Sequence, residues 1–462
     1  MRRILAGMSA ATLLGGCGAL LETPYERPMV DLPEIWATSQ AGGVATEATE
    51  ATETETIDDW WQVFGDPRLD ALVWRVLERN ADLAAAALRL QRARLQADLT
   101  DTNLTPDASL GGNAAVSRNL ADASVPSQRS YSASLSLAYE LDLWGKLART
   151  RNAAAWQAEA TRFDLQSTRL ALVGTTAATY WMIGQLNERL ADATEDIADA
   201  QRAEALAASR YRSGADGMLA LALARRATAA SEAVREQLLQ QRESRRKALV
   251  MLLDEPMPLE AIADYALHES ALPAVPPDLP AGVLARRPDV AAAEARIRGS
   301  LAAHDAARAS FFPTLSLTGS LGGRHQDLGH VLANPIGALG AGLAMPFLQW
   351  NTVKLNVGIS RTDYEASIVA YRKTMYQAFA EVDEALAWGD SLAREAGQLE
   401  RAMQAAVQAE AVSASRYRAG KSSIRFWLDD KQALRAARAA VVGNRASRLR
   451  IRMELYQALG GA

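Results

Sequence analysis

Ser209-Arg210-Tyr211-Arg212-Ser213-Gly214 returns as Ser415-Arg416-Tyr417-Arg418-Ala419-Gly420, 206 residues further along the chain. Other landmarks keep nearly the same spacing. Trp144 matches Trp350 at an offset of 206, and Asp82 and Pro106 match Asp289 and Pro313 at an offset of 207. The chain is a tandem duplication of a unit of roughly 200 residues, far beyond the ~20–50 residues of a solenoid repeat. A whole module is used twice, and the function depends on what one module lacks.

Proline placement says what the module is made of. None occurs between Pro126 and Pro256, and none after Pro346. Proline costs ~3 kcal/mol inside a helix, so these gaps permit very long helices. Ala, Leu, Arg, Gln and Glu fill them. Each gap breaks once, near Gly214 to Gly217 and near Gly420, where glycine suits the left-handed cap of a helix. Each therefore reads as a helical hairpin with the repeated motif at its tip. A helix over Lys146 to Arg212 would run roughly 100 Å at ~1.5 Å per residue, against an average of ~11–12 residues for globular helices. Leu165, Leu172 and Leu186 fall on one seven-residue grid; Ala177, Ala191 and Ala198 fall on another that includes Gly184. Two seams allow each helix two neighbours, as a closed ring of helices needs.

Between the helical parts the period changes to two. Strands are expected near 108–117, 130–143, 314–323 and 337–347. In the second, Tyr131, Leu135, Leu137, Tyr139 and Leu141 oppose Ser130, Ser132, Ser134, Ser136 and Glu140. Segments of ~10 residues suit tilted transmembrane strands. Tyr131, Tyr139, Trp144, Phe311, Phe312, Phe347 and Trp350 sit at or near their ends, as interface aromatics do. Four strands cannot close a barrel around a lumen, and open edges are not tolerated in lipid. The chain must associate with copies of itself, and elementary physics leaves dimer and trimer both open.

The single cysteine, Cys17, closes a distinctive start. Arg2 and Arg3 precede a short apolar run from Ile4 to Leu14, and Leu14-Gly15-Gly16-Cys17 follows. The run is too short to span a bilayer. It resembles a bacterial lipoprotein signal, so residues 1–16 are expected to be removed and Cys17 acylated. Gly18 carries no retention aspartate, which by the same resemblance favours the outer membrane. Residues 17–58 read as a tethering spacer, low in complexity and acidic over 43–56. Repeat 1 then occupies 59–262, a Pro-rich linker 263–280 and repeat 2 281–462.

With these features assembled, the chain resembles outer-membrane efflux channels of the TolC and OprM type, in the lipoprotein branch called NodT. The resemblance covers nearly the whole chain. Asp59-Trp60-Trp61, Phe64, Asp66-Pro67 and Leu69 carry it, with Arg287-Pro288-Asp289-Val290, Ala293-Glu294 and Phe311-Phe312-Pro313-Thr314-Leu315. It implies an α+β membrane protein: a homotrimer with a 12-stranded transmembrane β-barrel, four strands per chain, on a long periplasmic α-helical barrel. It further implies partners: a periplasmic adaptor, an inner-membrane pump of the resistance-nodulation-division (RND) class, and outer-membrane lipid.

Such a channel needs no covalent chemistry and, beyond the lipid on Cys17, no cofactor. The resemblance makes Asp429 the gate residue, with Arg425 and Gln432 beside it departing from the usual apolar and arginine neighbours. Three copies of Asp429 would form a ring of like charges. Leu223 stands at the matching place of the first hairpin, so one acidic ring is expected. Arg210, Tyr211, Arg212, Gly214, Arg416, Tyr417, Arg418 and Gly420 form the tips that would meet the adaptor.

Other classes fit less well. A net charge of −4 with dispersed basic residues argues against nucleic acid. His268, His304, His325 and His330 lack metal-ligand spacing, and no phosphate loop or nucleophile elbow is present. A lipid-anchored coiled-coil scaffold without channel activity explains the helices and Cys17 but leaves the alternating strands idle.

Overall fold

The computed structural model describes residues 22–33, 36, 59–122, 126–255, 265, 267, 272–273 and 281–461. Cys17, the signal and the acidic spacer lie outside the described residues. In chain order the elements are α1 (Pro67–Arg79), α2 (Ala81–Asp101), β1 (Asp107–Ser117), β2 (Gln128–Leu141), α3 (Lys146–Arg212), α4 (Met218–Leu253), α5 (Pro288–Ala309), β3 (Thr314–His325), β4 (Ile336–Ala344), α6 (Trp350–Arg418) and α7 (Ile424–Ala458). They form two compact units, one of Met1–Val30, Ala87–Asp164 and Asp289–Thr374, the other of Asp31–Ala86, Leu165–Pro288 and Met375–Ala462. No described helix is long and apolar enough to cross a membrane.

The first unit holds an antiparallel sheet in the order β1-β2-β3-β4. Residues paired across an antiparallel ladder share a face. Leu110 lies opposite Leu135, Leu135 opposite Leu321, and Leu315 opposite Leu343. Ser109 lies opposite Ser136, and Ser136 opposite Ser320. One face is thus leucine-rich and the other serine-rich. Leu110 and Leu339 are 82 % and 95 % exposed, so nothing among the described residues covers the apolar face at these positions.

Two strand ends differ from the sequence expectation. The strand expected to reach 143 stops at Leu141, because the Asp142 carboxylate accepts from the backbone N–H groups of Leu147 (3.1 Å) and Ala148 (2.8 Å) and caps α3. The strand expected to reach 347 stops at Ala344. Pro346 has no N–H to give a ladder, and Pro346–Gln349 forms a 3-10 turn into α6.

An N-terminal strap crosses α5 in the same unit. The Asp305 carboxylate, 2 % exposed, accepts from the backbone N–H (2.8 Å) and hydroxyl (2.7 Å) of Thr23. Arg27 pairs with Glu294. The Arg298 guanidinium lies 4.3 Å from the Tyr25 ring centroid and 4.9 Å from that of Trp156.

The second unit has the main apolar core. Trp60, Trp61, Phe64, Leu69 and Val73 pack with Val173, Tyr180, Trp181, Leu249, Leu253 and Met453. Asp66 organises it. One carboxylate oxygen accepts from the N–H groups of Arg68 (3.0 Å) and Leu69 (3.2 Å), capping α1 ahead of Pro67; the other accepts from the Tyr180 hydroxyl at 3.1 Å. Gly184 leaves room for the Tyr265 ring, which would lie 2.5 Å from an added Cβ. The buried seam of α3 then runs through Leu186, Leu190, Ala193, Ile197, Ala200, Ala203 and Ala207 in steps of three and four. Ala191, expected on a seam, is exposed and Ala198 is half-buried. The expected grid holds at Ala177 and Gly184. Beyond them α3 packs on α4 through Leu186, Leu190, Ala193 and Leu238, and the buried stripe shifts to meet it.

Asp66→Ala removes a buried cap and strands the Tyr180 hydroxyl. The expected cost is ~1–2 kcal/mol, read as an earlier denaturation midpoint of the purified protein, while Asp66→Asn recovers most of it.

Candidate functional site

The two tips share the same pair of capping backbone hydrogen bonds. In the first, the Gly214 N–H donates to the Tyr211 carbonyl (3.1 Å) and the Ala215 N–H to that of Arg210 (2.9 Å). In the second, Gly420 donates to Tyr417 (2.9 Å) and Lys421 to Arg416 (2.9 Å). Gly214 at φ +74° and Gly420 at φ +73° occupy the left-handed position that these paired caps require.

Their side chains diverge. Tyr417 is fully buried, whereas Tyr211 is 43 % exposed. The Tyr417 hydroxyl donates to Asp216 Oδ2 at 3.0 Å, and Arg210 Nε donates to the same oxygen at 2.8 Å. The Arg210 guanidinium lies 5.1 Å from the Tyr417 ring centroid. Asp216, in the first tip, thus ties both tips together. Arg210 and Tyr417 belong to this internal link, while Tyr211, Arg212, Arg416 and Arg418 remain on the surface. Arg210, followed by the Tyr417 hydroxyl, holds the Asp216 carboxyl below the usual carboxylate range. Burial, then the neighbouring carboxylate, pushes the Tyr417 phenol up to about 12. Asp216 is a residue the repeat itself concealed, because its counterpart in the second tip is Ser422.

Below the tips, Tyr417, Ile424 and Trp427 pack with Ala203, Ala207, Ala224 and Ala414. The Trp427 indole N–H donates to Glu410 Oε1 at 2.8 Å. With Ile424 and Trp427 inward, the opposite face of α7 is set. Arg425, Phe426, Asp429 and Gln432 are exposed, and at ~100° per residue they share one side of the helix. Arg425 Nε lies 3.8 Å from Asp429 Oδ2 with both side chains mostly in solvent, a pairing of little energetic weight. Asp430, the next residue, is half-buried. Phe426, 63 % exposed, is the neighbour of Asp429 that the sequence did not single out.

A charge ladder ties α7 to α3. Lys431 Nζ sits 2.7 Å from Asp199 Oδ2, Arg435 Nε 3.9 Å from Asp196 Oδ2, and Arg438 Nη1 4.0 Å from Glu195 Oε2. Burial pushes the Asp199 carboxyl up, but Lys431 and Arg202 more than offset it and the net direction is down. At Asp196 burial prevails over the Arg435, Lys431 and Arg438 charges, and the carboxyl is raised. The second hairpin is thereby fastened to the first by groups of opposed titration behaviour.

Elsewhere, Arg287 of the Arg-Pro-Asp motif donates to Glu381 Oε2 (2.6 Å) and to the Ala458 carbonyl (2.9 Å), so Glu381 is part of the scaffold. The His325 and His330 rings lie 5.4 Å apart in the β3–β4 loop. Among the described residues no group of three or more His, Cys, Asp or Glu could hold a metal.

The family described as outer membrane efflux protein matches residues 72–254 and 279–461, one match in each half of the duplication. The chain is similar to the pyoverdine export outer membrane protein OpmQ of Pseudomonas putida, with 30% identity over 426 residues, 90% of this chain and 91% of the relative. It is 28% identical over 470 residues to the toluene efflux pump outer membrane protein TtgC of the same species, covering 100% of this chain and 96% of the relative. The open state of the MtrE outer membrane channel of Neisseria gonorrhoeae superposes with a TM-score of 0.78 at 28% identity, covering 95% of this chain and 97% of that one.

A lowered carboxylate pKa means that the Asp216 link contributes fully above the unfolded value of ~3.9 and is lost as pH falls through the lower folded value. Hydrogen exchange at the tip amides should therefore be equally protected at neutral and mildly acidic pH. Asp216→Ala should raise exchange at Gly214, Ala215 and Gly420 at both; unchanged protection would show that the link does not hold the tips.

Proposed function

Because the chain belongs to the outer membrane efflux protein family, we propose a specific division of labour for its parts. The chain is the outer-membrane channel component of a tripartite efflux system, a passive conduit rather than an enzyme. The sheets of three copies close a twelve-stranded transmembrane barrel, with the serine-rich faces toward the lumen and the leucine-rich faces toward lipid. The long helices of the same copies close a helical barrel in the periplasm. One observation carries this reading. A sheet with an uncovered apolar face and two unpaired edges is stable in hydrocarbon only when closed on copies of itself.

Asp429 narrows the conduit, with Arg425, Phe426 and Gln432 around it. Three copies place Phe426 rings and Asp429 carboxylates about one axis, a constriction that is partly apolar and partly acidic. Arg425 offsets part of the acidic charge. Tyr211, Arg212, Arg416 and Arg418 present the basic surface to a periplasmic adaptor, and the inner-membrane partner is a pump of the RND class. Cys17 carries the lipid. Thr23, held by Asp305, lies only six residues beyond it, a reach of ~20 Å at most. The scaffold alternative leaves the uncovered leucine face without a purpose.

In planar bilayers the protein should give small or infrequent cation-preferring openings. Asp429→Ala should enlarge them and move the reversal potential in a salt gradient toward zero; a barrier lower by ~1.4 kcal/mol corresponds to about tenfold in flux. Silence from both forms, with folding and insertion verified, would count decisively against a conduit. Separately, Cys17→Ser should abolish incorporation of labelled fatty acid and leave the folded channel intact; retained label would remove the lipid assignment.

A further inference from the structure

The end of the sheet remote from the helices lies between Ser117 and Gln128 on one hairpin and between His325 and Ile336 on the other. Charge is unevenly distributed there. Val116 pairs with Arg129 and Tyr131 with His325, so Arg129 and His325 belong to the leucine-rich face. Arg118, two positions past Val116, continues that face. From these positions to Leu141 and Leu315 the face carries no charged residue. Arg118 and Arg129 are exposed, and neither meets a carboxylate among the described residues. On the serine-rich face, one cation stands at the same level: Arg324, opposite Ser132, donates to Ser130 Oγ at 3.3 Å.

The spacing along β2 sets the depth of these cations. From Arg129 to Leu141 the strand rises roughly 41 Å at ~3.4 Å per residue, or roughly 31 Å along the bilayer normal at a tilt of ~40°. A hydrocarbon core is ~30 Å thick. With Leu141 at one boundary, Arg129 stands at the other, at headgroup depth. The β3–β4 loop is folded onto the same face. The Val331 carbonyl occupies the place that a Cβ on Gly323 would take, and Gly323 pairs with Ala133 on the leucine-rich side. Leu328 and Leu332 of that loop stay exposed. The Asp327 N–H donates to His325 Nδ1 at 3.0 Å, which leaves the proton of the neutral ring on Nε2 as a donor. The Asp327 carboxylate itself is met within the loop, by the Gly329 N–H at 3.3 Å and His330 Nδ1 at 3.1 Å.

We propose that Arg118, Arg129 and His325 bind the phosphates of a phosphorylated glycolipid of the lipid A type, which fills the outer leaflet of an outer membrane, with Leu328 and Leu332 against its acyl chains. The class of ligand follows from the arrangement. The three donors come from three neighbouring strands, roughly 5 Å apart from one strand to the next, at the boundary of an uncharged band. Arginine meets phosphate with a planar pair of N–H donors, and both arginines keep theirs unspent. A sugar pair with a phosphate at each end can span such a row, which a phospholipid with a single phosphate does not. The inference rests on the barrel reading proposed above and adds which lipid the rim selects.

Full-length protein reconstituted in neutral phosphatidylcholine vesicles tests it, with labelled bisphosphorylated lipid A as the probe. The unaltered chain should retain the probe. An arginine at an anionic headgroup contributes about five-fold in affinity, so Arg118→Gln combined with Arg129→Gln should weaken retention by roughly 25-fold. Circular dichroism should be unchanged, because neither side chain has a contact to lose. Arg324→Gln, at the same level on the other face, should retain the probe as the unaltered chain does. A dephosphorylated probe should bind the unaltered chain as weakly as the intact probe binds the double variant. Phosphatidylglycerol at equal concentration should not compete. Equal retention by the double variant, equal retention of the dephosphorylated probe, or an equal loss in Arg324→Gln overturns the assignment. Competition by phosphatidylglycerol overturns the glycolipid in favour of a general anionic surface. Failure of the unaltered chain to insert into the neutral vesicles removes the barrel reading and the inference with it, whereas insertion without retention of the probe removes the inference alone.

Discussion

Everything in the first unit answers to the backbone hydrogen bond in hydrocarbon. A peptide N–H or carbonyl without a partner costs several kcal/mol there, and only closed structures avoid it. Four strands leave two edges. The apolar face of the sheet demands lipid, the edges forbid it, and another copy of the same sheet resolves the conflict. Long helices and an exposed leucine stripe on α2 follow the same logic, since each presents a surface that one chain does not cover.

The chain carries its module twice, and both hairpins of the sheet pair in one register. The copies have nevertheless drifted where function requires asymmetry. Asp216 faces Ser422 across the repeat, Leu223 faces Asp429, and Ala220 faces Phe426. The first hairpin supplies the carboxylate that ties the tips and the acidic residues that receive Lys431 and Arg435. The second supplies the exposed face with Asp429. One hairpin anchors and the other presents Asp429 on its exposed face, on backbones that end in the same cap.

Much of this was legible in the residues. The absence of proline located α3, α4, α6 and α7, the glycines located their tips, and period-two alternation located the sheet and both its faces. What escaped was set by tertiary register. Tyr211 and Tyr417 are identical in local sequence, and only the neighbouring Asp216 turns one inward. Phe426 sits between Arg425 and Trp427 in a run that reads as core, and its exposure follows from Ile424 and Trp427 claiming the buried side. The strand ends at Leu141 and Ala344 depended on local competition: Asp142 was taken by the helix cap, and Pro346 had no proton to donate. Ala191 left its seam because α3 changes partner along its length.

The one-residue difference between the two offsets has an engineering consequence. The spacing is 207 up to the first strand of each hairpin and 206 from the second strand onward, yet both hairpins pair in one register. The net change in length was therefore absorbed in the strand-connecting loops after the halves diverged, without disturbing a rung of either ladder. A segment that has already varied in length under that condition is a natural insertion point. Foreign peptides placed between β3 and β4 would sit at the end of the sheet away from its junctions with α5 and α6, on a scaffold whose pairing does not depend on them, which makes the chain a candidate carrier for inserted peptides.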